Sequence, residues 1–436
     1  MNGIKRMLKE IDIKKLKKTG FFSIFLSTVL SKILVFFGGI IVVKILSKTD
    51  YGIYGYILNI IAVLSIMGDF GATSVALQFI LEKEGDQEYF SACFRYALKI
   101  GFLSSLFSFL LIILSPFFYP YTIEGTSKMT VLLCGVPFLN IMQNFIPTLL
   151  RIKVDNKKYS IFQFGVTLIT YSFIILLSIL FGLRGALVAQ YVNGIVIILF
   201  GLYLIRHYIK GINLKNVLDS KEKKVFLKLA FATQLNNAIG QLLIIVDTFL
   251  VGLLIATPEV IASYKVGSAI PHALSFLPTC VVIYILPYFI KNNKNKNWLR
   301  QNFHKLLKYG VLFYGIFSAL LIIFSKIIFS ILYGNRYYDA VPIFIFLIIS
   351  FFFSSTIKIP CSNITYSLRK VKFNIVVNIS CVVINIISNY IFIKLYGAVG
   401  AAITTTIISI ISSIAYLMYI NILLRENGDS VNEIVN

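Results

Sequence analysis

FFSIFLSTVLSKILVFFGGIIVVKIL, residues 21–46, runs for 26 residues with only two charges, Lys32 and Lys44. A hydrocarbon core about 30 Å thick takes about 20 apolar helical residues to cross, so this stretch reads as a membrane span. Comparable runs follow at about 52–81, 91–118, 128–150, 160–182, 185–205, 226–254, 259–290, 303–332, 339–366, 372–396 and 398–424. Barrel strands need only about 10 residues and alternate in polarity, whereas these runs are longer and apolar all round. With 58% hydrophobic and 14% charged residues among 436, the chain lies outside the range of soluble globular proteins. The sequence predicts an all-α integral membrane protein of twelve transmembrane helices in two parallel six-helix bundles around a central cleft.

The net charge is +23, and its placement is more informative than its size. Lys and Arg gather before the first span and in every second loop, at Arg151 to Lys158, Arg206 to Lys224, Lys291 to Arg300 and Arg369 to Lys372. Positive loops stay cytoplasmic, which places both termini in the cytoplasm. The same rule and the anionic leaflet account for the excess charge, so nucleic acid is not an expected partner and membrane lipids are. Residues 1–20 read as a basic amphipathic interfacial segment, 21–205 as an N-terminal six-helix bundle and 206–225 as a cytoplasmic linker. Residues 226–424 form a C-terminal six-helix bundle and 425–436 a cytoplasmic tail. The first run carries Lys32 and lacks a small-residue cleavage site, so it reads as a span and not as a signal peptide. The five cysteines sit in or at the ends of spans, where free Cys acts as a small apolar residue; neither a disulfide nor a metal site is expected.

The halves repeat. Gly182-Leu183-Arg184-Gly185-Ala186 precedes the sixth span, and Gly397-Ala398-Val399-Gly400-Ala401 the twelfth, 215 positions later. Lys158-Tyr159-Ser160 matches Lys372-Phe373-Asn374 at an offset of 214, and Tyr54 matches Tyr264 at 210. Six spans per half is an even number, so both halves insert the same way, the parallel kind of repeat found in transporters that rock about a central site.

Polar side chains within the spans fall in stripes. Asn374, Asn378, Asn385 and Asn389 lie within roughly 60° of one another at 100° per residue, and Ser160, Gln163, Thr167 and Thr170 form the counterpart stripe. The seventh span carries Gln234, Asn236, Asn237, Gln241 and Asp247. Such groups serve as glue between helices or line a polar cavity; their duplication favours the cavity. Ionisable groups in spans cost about 2.5–3.5 kcal/mol or more near the bilayer centre. Lys32, Lys265, His272 and Lys358 are the cations and Asp69 and Asp247 the anions. They read either as buried ion pairs, Lys32 with Asp69 for example, or as a cavity richer in cation than anion and suited to a phosphate. The candidate substrate-binding residues are Lys32, Lys265, His272, Lys358, Asn236, Gln241, Asn378 and Asn385. Asp69 and Asp247 are candidates for ion coupling or charge balance.

No G-x-x-x-x-G-K-[ST] loop occurs, and the predicted outer loops are too short to carry transferase or polymerase chemistry. No cofactor is expected and no enzyme activity is assigned.

Lys44 to Tyr54, with Leu46-Ser47 and Tyr51-Gly52-Ile53-Tyr54, resembles the first loop of bacterial polysaccharide flippases. Gly68-Asp69-Phe70-Gly71, then Val246-Asp247-Thr248 with Gly252 and Tyr264, and finally Gly397 to Ala402, are similar to later signatures of that family. The resemblance covers nearly the whole chain and implies the superfamily of Wzx-type O-antigen and capsule flippases, multidrug extruders and lipid II flippases. It implies translocation of undecaprenyl-diphosphate-linked oligosaccharide by alternating access, for O-antigen lipopolysaccharide or capsule assembly. A coupling H+ or Na+ and a polysaccharide polymerase are implied partners. An ion-coupled multidrug exporter of the same superfamily is the alternative.

Overall fold

The structure is a computed structural model that describes residues 21–83, 85–209, 217–293, 295–368 and 370–425. The amphipathic segment expected over 1–20 lies outside the described residues. Among the described residues every regular element is helical, and nine helical stretches are long and apolar enough to cross a membrane. A tenth arises if a pair of helices bent by 43° is taken as one span. This is a multi-pass membrane protein. Its chain divides into two compact units between Gln241 and Leu242.

The first unit contains α1 (Phe21–Ile45), α2 (Lys48–Leu64), α3 (Ala72–Glu82), α4 (Gln87–Phe118), α5 (Thr126–Leu132), α6 (Val136–Ile152) and α7 (Asn156–Ile209), and the start of α8 (Ser220–Ile255). Short polar residues set the helix starts, as side-chain oxygens at an N-cap satisfy orphan N–H groups. Ser47 Oγ accepts the Asp50 N–H at 3.0 Å, and Asp86 Oδ1 accepts the Tyr89 N–H at 2.9 Å. Helix α7 packs on α1 and α6. A core shared by α4, α6 and α7 holds Phe94, Phe145, Leu149, Phe162 and Ile197. The outer faces keep large apolar side chains bare, Phe102, Phe107 and Phe117 among them, as a surface bathed in lipid requires.

Two expected spans of this unit are broken. The second, read as continuous over 52–81, stops at Leu64 and restarts at Ala72. Gly68, Phe70 and Gly71 between them have φ of 46°, 57° and 72°. The fourth breaks between α5 and α6, where Tyr191 of α7 closes the gap. Its hydroxyl donates to the Leu132 carbonyl at 2.7 Å and accepts the Gly135 N–H at 3.0 Å. Backbone groups freed inside a membrane need partners within the protein, and one tyrosine supplies both.

The second unit holds the end of α8, then α9 (Pro258–Leu274), α10 (Phe276–Lys291), α11 (Lys296–Ile323), α12 (Ser325–Leu332) and α13 (Val341–Phe353). A π-helical turn, Ser354–Lys358, leads into α14 (Ile359–Ser367), followed by α15 (Val371–Tyr396) and α16 (Ala398–Arg425). The eighth span, read as one run over 259–290, is interrupted at Ser275 between α9 and α10. A hydroxyl seam joins α13 to α16. Ser350 and Ser409 meet at 2.6 Å, and Thr406 donates to the Phe346 carbonyl at 2.7 Å.

The repeated glycine motif has the same geometry in both halves. Gly182, inside α7, has φ 56° and ψ −135°; Gly397, between α15 and α16, has φ 61° and ψ −145°. Three residues on, a Cβ at Gly185 would collide with the Leu177 carbonyl, and one at Gly400 with the Phe392 carbonyl. The first glycine reverses the backbone and the second lets the next helix pass close to the end of the last.

Candidate functional site

Asp247 lies in the second-unit part of α8, is 5% exposed, and accepts four hydrogen bonds from neutral side chains. The Tyr264 hydroxyl of α9 donates to Oδ2 at 3.0 Å, and the Thr405 hydroxyl of α16 donates to the same oxygen. Asn385 and Asn389 of α15 donate from Nδ2 to Oδ1 at 3.2 and 2.7 Å. Asn389 Nδ2 also reaches Asn385 Oδ1 at 2.9 Å. The spacing of the two asparagines puts them one turn apart on one helix face, so α15 presents a double amide to a single carboxylate.

An ionised carboxylate has about four lone-pair sites, and here each oxygen receives two donors. None of these partners is a cation. The buried Oδ1 of Asn389 has no hydrogen-bond partner. The cluster offers a carboxylate, two carboxamides and two hydroxyls and neither sulfur nor imidazole, a set that suits a proton or a hard cation and not a soft transition metal; as arranged, both amides turn Nδ2 to the carboxylate. Among the described residues no cluster of His, Cys, Asp and Glu is arranged to hold a metal.

Asp69 has a different setting. It is buried in the first unit, and its oxygens accept the Gly71 N–H at 3.2 Å, the Thr73 N–H at 3.0 Å and the Thr73 hydroxyl. All three donors belong to the start of α3, so Asp69 caps the helix that follows the break in the second span. The ion pair considered between Lys32 and Asp69 does not form. Lys32 is exposed on α1, and among the described residues none of the ion pairs includes it.

The other cations are separate features. Lys265, half-buried, lies one residue from Tyr264 on α9, and Lys358, also half-buried, ends the π-helical turn. His272 is exposed near the end of α9, where its carbonyl accepts the Ser275 hydroxyl at 2.7 Å. Of the amides offered from sequence as substrate-binding candidates, only Asn385 reaches Asp247, joined there by Asn389 of the same stripe. Asn378 is half-buried, and Asn236 and Gln241 are exposed. The inward-facing amide of α8 in the first unit is Gln234, 4% exposed, which donates to the Ile66 carbonyl at 2.7 Å. Thr405 was missed as a site residue; Thr404-Thr405-Thr406 in an otherwise apolar span was the available signal.

Several solved structures share this fold. A lipid II flippase, MurJ, in an inward closed conformation superposes with a TM-score of 0.73 at 19% identity, covering 91% of this chain and 87% of that one. An inward-facing multidrug resistance transporter of the MATE family, in the MOP superfamily, gives 0.68 at 14% identity over 90% and 94%. A Vibrio cholerae MATE transporter gives 0.60 at 13% identity over 95% and 98%. No curated protein matches the sequence. The family model described as polysaccharide biosynthesis protein matches residues 18–293, well over half the chain, and on that match this protein belongs to the polysaccharide biosynthesis protein family.

Proposed function

We propose that the protein is a flippase that carries undecaprenyl-diphosphate-linked oligosaccharide across the inner membrane by alternating access, for O-antigen or capsule assembly. The observation that supports this most is the family match over residues 18–293 on an all-helical membrane fold. No covalent bond changes in this reading; the protein moves a finished glycolipid. The nine apolar stretches become twelve crossings when α7 is divided at Gly182, the bent pair α5–α6 counts as one and α2–α3 as another. An even number keeps both termini in the cytoplasm, in keeping with the basic loops.

Asp247 is assigned to ion coupling. Its carboxylate would hold H+ or Na+, with the Tyr264 and Thr405 hydroxyls as neighbouring oxygens and Asn385 and Asn389 donating from Nδ2. Asp69 is assigned a structural part, because its lone pairs are engaged by α3. Lys265 and Lys358, and Lys32 in the first unit, are assigned to the diphosphate as point charges, with His272 assisting when protonated. The hydroxyls and amides of α15 and α16 supply the paired donors and acceptors that sugars take.

The test is deletion followed by complementation. Loss of the protein strands lipid-linked repeat units on the cytoplasmic leaflet and removes the surface polymer, and the wild-type gene restores it. Unchanged surface polysaccharide with new sensitivity to cationic dyes would favour the multidrug exporter instead.

A further inference from the structure

The span that runs through α13 and α14 is widened in its middle by the π-helical turn Ser354–Lys358, closed by the Ile359 N–H on the Ser354 carbonyl. A π turn carries one residue more than the α-helical ladder accommodates, and such turns gather at functional positions. Helix α11 runs past it. A Cβ at Gly310 would have Thr356 as its nearest neighbour, at 3.5 Å, and the Tyr314 ring meets Phe351 edge-on at 5.9 Å. Positions 310, 314 and 318 follow one another at intervals of four and share one face of α11.

This contact holds four hydroxyls in a setting that is costly within a bilayer. Tyr314 and Ser318 on α11, and Ser355 and Thr356 in the turn, are each at most 5% exposed. Among the described residues none of the four hydroxyl oxygens has a hydrogen-bond partner. The usual resort of Ser or Thr in a helix is a carbonyl three or four residues back. Ser362 and Thr365 of α14 take it, on the Ile359 and Cys361 carbonyls, and Ser354 finds Ser409 of α16 at 3.3 Å. Ser355 and Thr356 do neither. A buried polar group without a partner gives up its hydration for nothing in return, and here four such groups share one contact.

We infer that the π-helical turn is an internal water site, in which water bridges Ser355 and Thr356 to the Tyr314 hydroxyl of α11. A buried water makes about three hydrogen bonds to groups that otherwise have none. Each hydroxyl both donates and accepts, so the set suits water in either sense. Gly310 leaves the width of a side chain open on the same face. A hard cation takes carboxylates and carbonyls, and neither α11 nor the stretch 341–367 contains an acidic residue. Lys358, at the end of the turn, adds a positive charge that disfavours a cation further. Water at this point also accounts for a widened turn in an apolar span, since backbone groups freed there need partners. It makes the middle of the span a joint that bends by exchanging water bridges, whatever cargo the protein carries.

The test uses the purified full chain in phospholipid nanodiscs and X-ray radiolysis, which makes hydroxyl radicals from water where the water sits. Peptide mass spectrometry is expected to find Tyr314 oxidised at least tenfold more than Phe344, a ring of α13 that is 0% exposed. Ser355→Ala combined with Thr356→Val removes both hydroxyls of the turn at nearly constant volume. This double variant should cut Tyr314 oxidation at least fivefold and melt no later than wild type. Thr356→Ser, which keeps the hydroxyl, should retain wild-type oxidation. Tyr314 oxidised no more than Phe344 overturns the inference, and that measurement needs no variant to fold. A higher melting temperature in the double variant overturns it too, because only a dry, unpaired hydroxyl is better removed. Oxidation that falls in sodium chloride and returns in choline gluconate would put an ion there in place of water, and would equally overturn it.

Discussion

Asn389 Nδ2 lies 2.7 Å from Asp247 Oδ1, while the Oδ1 of the same amide is buried with no partner. A buried acceptor left unpaired costs about 1–3 kcal/mol. Turning that amide over would bring its oxygen to the carboxylate, where a small cation, or a proton on Asp247, could bridge the two. Under the coupling role proposed for Asp247, the cluster would then respond to ion occupancy. Its ligands come from α8, α9, α15 and α16, so occupancy bears on how four helices of the second unit pack.

Asp247→Asn keeps the size and removes the charge. Transport in proteoliposomes should fall at least tenfold and lose its dependence on a Na+ or pH gradient, with membrane abundance within twofold of wild type. Asp247→Leu leaves four donors without an acceptor, and abundance should then drop as well. Gradient-dependent transport by Asp247→Asn would remove Asp247 from coupling.

Lys32 is exposed and outside the ion pairs of the described residues, which separates its two readings. Breaking a buried pair costs about 3–5 kcal/mol and would lower protein level; no such pair is present to break. Lys32→Gln should therefore leave abundance normal and abolish export of the surface polymer, as should Lys265→Gln and Lys358→Gln. Normal export by all three variants would remove the diphosphate role.

Much of this was legible in the sequence for a physical reason. The bilayer demands long apolar helices, so the spans stood out, and the glycine repeat marked where α7 bends and where α15 meets α16. The buried carboxylate was legible too, because an acid in an apolar span is costly unless it has partners. What escaped was helix continuity: residues 65–71, with Asp69 and two glycines, sit inside a longer apolar run that reads as one span, and tertiary donors such as Gln234 and Ser104 make the break tolerable. The orientation of α8 also escaped. Its polar residues cover half its circumference, so sequence alone did not separate inward Gln234 from exposed Asn236 and Gln241.

The glycine pair gives a stability test in both halves. Gly185→Val and Gly400→Val each push a side chain into a backbone carbonyl, which cannot yield as a flexible side chain can. Overpacking of this kind costs about 1–3 kcal/mol. Both variants should show lower melting temperatures by fluorescence-detected size exclusion, and Gly315→Ala, where only Phe352 lies near, should not. Wild-type melting for Gly185→Val and Gly400→Val would mean that the close approach is not required.

Asp155, between α6 and α7, offers a pH test outside the spans. Burial raises its carboxyl pKa, but the Lys158 N–H at 3.0 Å, the Tyr208 hydroxyl at 2.8 Å and the Lys158 ammonium at 3.5 Å outweigh it. The net effect holds the group below its ordinary value. A carboxyl depressed in the folded state adds stability that is complete above its unfolded pKa of about 3.9 and is lost as pH falls through the folded value. Tyr208 is on the last turn of α7 and Lys158 on the first, so the cluster ties the two ends of one bent helix. Asp155→Asn should melt earlier than wild type at pH 7, by the equivalent of about 1 kcal/mol or less for a partly exposed pair. The gap should narrow as pH drops below 4. A gap that stays constant from pH 7 to pH 3 would show that Asp155 acts through its shape and hydrogen bonds and not through its charge.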